Sequence, residues 1–566
     1  MNGEQCKNAI YGDSYLDLIV EYNNEIRSIY QQYETTCIQF VNYRYAIVHI
    51  DGEQYPPYSI SHYGYHRIPK CFGLMDQSSL QESGIIRVQE LEALDLRGRG
   101  VLVGFIDTGI DYTNPIFQNA DGSSRIVSIW DQTIRDGTPP EDFYYGAEYT
   151  REMLDQALQS ENPREIVPSF DENGHGTFLA GIATGKRDEE ADFIGAAPDS
   201  ELVVVKLKEA KKSLMEFQEI YTDDIVYQET DIMMGIRYLI GVARQQFRPI
   251  VICIGFGSNQ GGKEGKGALS SYLSSVAENS GVCVVACAGN EGQARRHYYG
   301  PGRKGQRVET VEINVGEEKG FSMELWGSSP NTYSIALRSP GGEVISRIPP
   351  GLSESREVQL ILERTRVRVD YQLVESATGD EVIVLAFRNP TKGIWTLDVY
   401  CDELNDAGFH IWLPIQGFVS EGTYFIRPDP DTTIVVPGAA PSVLTMTAYR
   451  HLNNSLYLEA SRGYGRACGV KPDLAAPGVD VYGPNIRKGY TTKSGTSVSA
   501  AIGVGAAALL FEWGIIRGNV ENMATNEVKK LLIRGAVRDG ERTYPNREWG
   551  YGRLNVFGAF QSLTRL

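Results

Sequence analysis

Short, continuously apolar runs recur through the middle of the chain, and they set its architecture. Residues 101–106 (VLVGFI), 202–206 (LVVVK), 250–255 (IVICIG) and 282–288 (VCVVACA) carry almost no polar side chain and are rich in β-branched residues. A strand with one wet face alternates apolar and polar positions, whereas an unbroken apolar run suits a strand covered on both faces. Helix-periodic stretches separate several of these runs, notably 230–246 (TDIMMGIRYLIGVARQQ) and 270–279 (SSYLSSVAEN). Strands alternating with helices predict an α/β domain, a parallel sheet with helices on both faces.

Two other textures flank and interrupt this pattern. Residues 15–22 (YLDLIVEY) alternate like a strand, 25–34 suit a short helix, and 37–50 (CIQFVNYRYAIVHI) favour strand again. They predict a compact N-terminal α+β unit, with a proline-containing segment, 65–75 (YHRIPKCFGLM), leading away from it. From about 299 to 431 helical periodicity disappears. Alternating segments follow at 307–315, 321–326, 333–338, 366–375, 381–387, 394–400 and 409–414, punctuated by Ser-Pro, Pro-Gly and Asn-Pro. That spacing predicts an all-β sandwich of jelly-roll type. The α/β pattern resumes at Thr433 (TIVVPGAA), so the β module is an insertion. The expected division is 1–76, 77–300, 301–431 and 432–566, the second and fourth segments forming one domain.

Composition narrows the partners. The 566 residues are 42% hydrophobic, enough for packed cores, and carry a formal charge of −18, which repels nucleic acid and anionic membranes. The N-terminus has no basic stretch followed by an apolar run, and 500–511 reads as a buried core helix too short to span a bilayer. The expectation is synthesis in the cytoplasm without a signal peptide and no membrane span. The eight cysteines are scattered with no CxxC; Cys253, Cys283 and Cys287 sit in apolar runs and read as small reduced core residues, which disfavours zinc.

Four stretches carry chemistry: 105–111 (FIDTGID), 173–180 (NGHGTFLA), 286–292 (ACAGNEG) and 493–500 (KSGTSVSA). Asp107 ends a buried strand, where a carboxylate can accept from a histidine N–H; an Asx turn explains it equally well. His175 lies between two glycines ahead of an apolar helical run, and alone reads more readily as a structural or surface histidine. Ser497 opens a small-residue helix, whose N-terminal N–H groups suit an oxyanion; Ser is also an ordinary cap. Asn290 follows a buried strand and offers a side-chain amide to a tetrahedral intermediate, or simply turns the chain. Together the four fall at strand ends and helix starts of one α/β domain, where open sheets place their sites, and the order Asp, His, Ser is that of subtilisin.

The chain resembles the subtilase family of serine peptidases over about residues 78–300 and 432–563. FIDTGID is similar to the family's aspartate motif, NGHGTFLAG to its histidine motif, SGTSVSA to its serine motif, ACAGNEG to the oxyanion-hole stretch, and KPDLAAPG (471–478) to the segment ahead of the serine motif. The resemblance implies that Asp107 orients, His175 acts as base and then acid, Ser497 attacks, and Asn290 with the Ser497 N–H holds the oxyanion. It also places Phe256, Gly257, Ala288 and Gly289 beside the pocket for the residue preceding the scissile bond. Two positions depart from the pattern. Ala501 stands where many members have proline, and Ile116 follows Pro115 where calcium-binding members carry an acid. No cofactor is therefore expected, and calcium is left open rather than expected.

A closer resemblance is to the Csp subtilases of spore-forming Clostridia, which share an N-terminal prodomain, a jelly-roll insertion at this place and SVSA-like residues after the serine. It implies a spore-associated endopeptidase that activates a protein zymogen, such as a spore-cortex-degrading enzyme, during germination. By the same resemblance residues 1–76 are a folding template and inhibitor, cut near 75–78 and retained in the cleft. The alternatives are a prodomain-occluded pseudoprotease that binds or signals and a structural spore component using the β module as an adaptor. For the β module itself, bracing the catalytic domain is preferred over substrate or partner docking.

Overall fold

The computed structural model describes residues 3–22, 33, 37–74, 83–302, 308–402, 408–466, 469–486 and 489–563. Its centre is a nine-stranded sheet. From one edge the order is Ser455–Leu456, Leu444–Arg450, Val282–Cys287, Ile250–Ile254, Leu102–Asp107, Glu201–Lys206, Ile126–Asp131 and Ala147–Thr150, with Leu474–Pro477 also paired to Leu444–Arg450. The interior pairs are parallel; the strands at the two margins, Ser455–Leu456 and Ala147–Thr150, pair antiparallel.

Burial on both faces explains the unbroken apolar runs. Val103, Phe105, Val251, Cys253, Cys283 and Val285 pack on one side with the helices His175–Thr184 and Thr496–Phe511. Leu102, Ile106, Ile250, Ile252, Ile254, Val282 and Val284 pack on the other with Glu229–Gln245 and Ala268–Ala277. The expected α/β class is thus present, with helix limits shifted by one or two residues. Helical backbone from Thr496 runs on to Ile516, longer than the 500–511 run, with an apolar window of mean hydropathy 1.7. It is long enough to cross a bilayer, yet 83% of that window is buried inside this molecule, as in a core helix.

The leading unit is a three-stranded antiparallel sheet, order Tyr15–Glu21, Tyr45–Asp51, Cys37–Phe40, preceded by the helix Gly3–Tyr11. The single run expected over 37–50 is two strands, because the Asn42 side chain accepts from the Arg44 and Tyr45 N–H groups (2.9 and 2.7 Å) and closes a turn. The helix expected at 25–34 lies outside the described residues, Tyr33 excepted. Cys6 and Cys37 form a disulfide, which the scattered cysteine spacing did not reveal.

The insert is two antiparallel sheets. One has six strands in the order His297–Gly300, Phe409–Trp412, Gly320–Gly327, Glu381–Arg388, Arg366–Gln372, Ser353–Gln359; the other has five, Val344–Ile348, Thr332–Arg338, Gly393–Asp402, Val308–Val315, Tyr424–Phe425. Both feed one core that includes Val311, Leu325, Ile335, Leu385 and Trp395. Its first strand begins at His297, ahead of the expected boundary at 301. Ser353–Gln359 (SESREVQ) was not expected, since this edge strand is exposed at nearly every position and carries no apolar alternation. Glu324 of the insert ties the three units together: it accepts from the Tyr65 hydroxyl (2.6 Å) and from the Gly261 N–H (2.8 Å).

Candidate active site

Asp107 is the last residue of the strand Leu102–Asp107, and His175 is the first of the helix His175–Thr184. The helix start is built around Asp171, whose carboxylate accepts from the N–H groups of Asn173, Gly174 and Thr177 and from the Thr177 hydroxyl, at 2.7–3.1 Å. Donors that a helix leaves without intrahelical partners are thereby satisfied. Thr177 Oγ1 in turn accepts from Asp111 N (2.9 Å), and Gly176 N donates to Thr108 Oγ1 (3.0 Å). These bonds seat the histidine helix on the Asp107 turn. The Gly-His-Gly spacing has a steric cause: Gly174 takes φ +85°, and a Cβ on Gly176 would stand 2.2 Å from Gly109 O.

His175 Nδ1 lies 2.8 Å from Asp107 Oδ1, and the two residues are 3% and 1% exposed. A carboxylate only accepts, so Nδ1 carries the proton and Nε2 is left as the basic nitrogen. Thr108 N donates to the same Asp107 oxygen at 2.8 Å and fixes the carboxylate.

Ser497 is the second residue of the helix Thr496–Phe511, wholly buried, and its hydroxyl makes no hydrogen bond among the described residues. The helix start is joined to Asn290 through Thr496, whose N–H and hydroxyl each donate to Asn290 Oδ1 at 3.1 Å, while Gly289 N donates to Thr496 Oγ1 at 3.0 Å. Asn290 Oδ1 is therefore the accepting end, and its amide nitrogen is the end that donates. Gly255, which follows the strand Ile250–Ile254, closes the geometry: a Cβ there would stand 3.4 Å from His175 Cε1 and 3.5 Å from Asp107 Oδ2. The Ser499 hydroxyl donates to Ala476 O and Pro477 O (3.1 and 3.0 Å), locking the serine helix to the 471–478 segment. That segment holds a buried ion cluster, Asp473 with Lys471 (2.8 Å) and Lys529 (2.6 Å). Burial outweighs the neighbouring carboxylate and pulls Lys471 down to about 7.

Of the four residues expected beside the pocket, Phe256 and Gly257 form a two-residue strand. Ala288 is core, and Gly289 takes φ +102° with no room for a Cβ against Val435 Cγ1 (2.5 Å). The Phe256–Gly257 strand is occupied. Cys71–Leu74 runs antiparallel to it, with Leu74 opposite Phe256 and Gly73 opposite Gly257; the strand Tyr227–Gln228 pairs on the other side, opposite Phe72 and Cys71. Phe72 is fully buried, edge-on to Phe256 with ring centroids 6.1 Å apart. Sequence reasoning missed Tyr227–Gln228 and Asp171: a two-residue strand has no periodicity, and an acid four residues before His175 looks like any loop acid. The cut expected at 75–78 lies outside the described residues. Ile116 is buried in the turn Pro115–Phe117, capped by Asn114, and no cluster of three or more His, Cys, Asp or Glu suited to a metal occurs among the described residues.

The model of the subtilase family matches residues 98–331 and 421–552, more than half of the chain. The Clostridium perfringens CspB protease is a similar solved structure, 30% identical, with a TM-score of 0.76 over 85% of this chain and 97% of that one. Thermitase of Thermoactinomyces vulgaris is 23% identical over 48% of this chain and 74% of its own length. The major intracellular serine protease of Bacillus subtilis is 24% identical over 49% of this chain and 69% of its own.

Proposed function

The chain belongs to the subtilase family of serine peptidases, and from that premise we propose that it is an endopeptidase which cuts its own leading unit and keeps it in the cleft. The observation that carries this reading is the buried Asp107–His175 hydrogen bond of 2.8 Å beside a peptide strand, Cys71–Leu74, annealed to Phe256–Gly257. Ser497 Oγ attacks the carbonyl carbon while His175 Nε2 takes its proton, and Asp107 steadies the imidazolium. The Asn290 amide and the Ser497 N–H receive the oxyanion. His175 then protonates the leaving amine, and water hydrolyses the acyl-enzyme. Met75 follows Leu74 in sequence, so the first cut is expected within 75–78. Comparing wild type with Ser497→Ala by intact mass and N-terminal sequencing tests this. A cut within 75–78 in the wild type alone is the expected result; the same cut in both, or in neither, would sink it.

For the substrate, likeness across nearly the whole CspB protease supports a Csp-type role, activation of a spore-cortex-lytic zymogen. Processing of such a pro-form by wild type and not by Ser497→Ala is the expected outcome. One observation favours a second reading, an occluded pseudoprotease: Ser497 is sealed from solvent and its hydroxyl bonds to nothing among the described residues. Failure of a fluorophosphonate to label Ser497 in folded protein freed of its leading unit would select that reading.

A further inference from the structure

The helix Gly3–Tyr11 is gripped from two sides. On one side Cys6 is disulfide-bonded to Cys37, the first residue of the edge strand of the leading sheet. On the other, the helix is bolted to the catalytic domain. The Tyr11 hydroxyl donates to Gln132 O (2.7 Å) and accepts from Gly146 N (2.9 Å), and its ring stands edge-on to Tyr145 with centroids 5.9 Å apart. The Lys211 ammonium donates to Ala9 O at 2.8 Å. The sheet of the unit whose tail strand fills the cleft also touches the catalytic domain directly, with Asp17 Oδ1 2.6 Å from Lys211 Nζ. The disulfide adds a covalent tie between that sheet and the clamped helix. Elsewhere Cys71, Cys253, Cys283 and Cys287 are buried thiols, so most of the described cysteines are not engaged in cross-links.

We propose that the Cys6–Cys37 disulfide is a redox lever on self-inhibition. Closed, it makes helix and sheet one body and holds the tail strand in the cleft; opened by a thiol reductant, the leading unit releases and Ser497 is uncovered. The inference rests on the endopeptidase reading. Its physical basis is the size of the unit. A core built by fewer than about 70–80 residues leaves little folding margin, and a cross-link spanning 31 residues removes unfolded-chain entropy worth about 10²-fold in the folding equilibrium. A unit that binds only when folded, and that has no stability to spare when free, loses grip by the same factor. Cys6 and Cys37 are each 1% exposed, so a reductant reaches the bond only when the helix lifts, and clamp and bond protect each other. The chemistry balances with an external thiol. Its thiolate attacks one sulfur and expels the other, which takes a proton; a second thiol resolves the mixed disulfide, leaving two protein thiols and one oxidised reductant.

The test compares fluorophosphonate labelling of Ser497 in processed full-chain protein before and after dithiothreitol, with Cys6 and Cys37 scored by differential alkylation and mass spectrometry. Opening the bond is expected to raise the labelling rate about 10²-fold, and Cys6→Ser/Cys37→Ser is expected to label at the fast rate with or without reductant. Should that variant fail to fold, wild type reduced and alkylated after folding gives the same comparison. Equal rates with the bond closed and open would overturn the proposal, as would finding both thiols alkylatable before reduction. Absence of labelling in every state, including protein stripped of its leading unit, would instead strike the endopeptidase reading and take the lever with it.

Discussion

Asp17 and Lys211 meet across the seam between the leading unit and the catalytic domain, and replacing them singly and together measures how far that seam depends on charge. Lys211 Nζ lies 2.6 Å from Asp17 Oδ1, with both side chains 2% exposed. The same carboxylate oxygen is 2.6 Å from His49 Nδ1, and Asp17 Oδ2 accepts from Gln228 Nε2 at 2.7 Å. Burial pushes the Asp17 carboxyl up, but Lys211, His49 and Lys208 outweigh it and hold it well below the usual carboxylate range. Burial also pulls Lys211 down, against the attraction of Asp17. Opposite charges about 3 Å apart attract by roughly 5 kcal/mol at an effective dielectric near 20, and taking each ion out of water costs several kcal/mol. The two effects nearly cancel for the intact pair. A surviving single charge keeps its desolvation cost with much less compensation.

Lys211→Met is therefore expected to weaken the seam by about 3–5 kcal/mol, and Asp17→Asn by a similar amount. The double variant should lose far less than the sum. Thermal melts, together with the fraction of N-terminal fragment co-eluting with the processed chain in size exclusion, read the effect. Strictly additive single effects, or an unchanged melt for Lys211→Met, would refute the reasoning. A depressed folded-state pKa makes the contribution of Asp17 complete above the ordinary carboxylate value and lost as pH falls below it. Wild type should accordingly begin to release the fragment only below about pH 4, and Asp17→Asn should show no such transition.

Three further outcomes are expected. Asn290→Ala should lower kcat for a peptide substrate by about 10²–10³-fold with little change in KM; an unaltered kcat would remove Asn290 from the oxyanion site. Glu381 is pushed up to about 8 by burial, against the Tyr333 N–H it accepts at 2.7 Å. Being protonated in the fold where the unfolded chain is ionised, it should make the insert melt progressively lower as pH rises from about 4.5 to 8, and calorimetry should find Glu381→Gln flat across that range. Gly176→Ala would drive its Cβ against Gly109 O at 2.2 Å and crowd Asp107 Cβ at 3.2 Å. It should abolish self-processing and lower the melt, and a fully processed, equally stable variant would contradict the packing argument.

The central sheet was legible because strands buried on both faces cannot hide: Val103 and Phe105 face one helix layer, Leu102 and Ile106 the other. The limits of Glu229–Gln245 and Ala268–Ala277 were readable to within one or two residues for the same reason, whereas the helix from Thr496 starts four residues before its apolar run. Asp107, His175, Asn290 and Ser497 stood out because each lies at or just past the end of an element in a run with unusual neighbours, and the structure gives the glycines beside His175 a steric cause. What was illegible is what sequence distance separates. The Cys6–Cys37 bond, the Asp17–Lys211 pair and the Glu324 junction join residues whose spacing carries no pattern. The polar edge strand Ser353–Gln359 is held by its ladder to Arg366–Gln372 rather than by an apolar face, so no hydropathy signal marks it.

The same limit hid the cleft, and its cause says something about substrates. Tyr227–Gln228 and Phe256–Gly257 are two residues each, too short to make a sheet with one another, and their main chains are laddered through Cys71–Leu74 lying between them. A cleft of this kind is a sheet with its middle strand missing. On the endopeptidase reading, whatever fills it is extended, since main-chain ladders on both sides supply the hold, and a side chain placed as Phe72 is, edge-on to Phe256, is expected to set preference. A helix or a packed strand of a target cannot enter without first unfolding. A protein substrate is therefore expected to be cut in an extended loop or linker, and a target whose only cleaved bond lay inside a stable helix would be incompatible with this geometry.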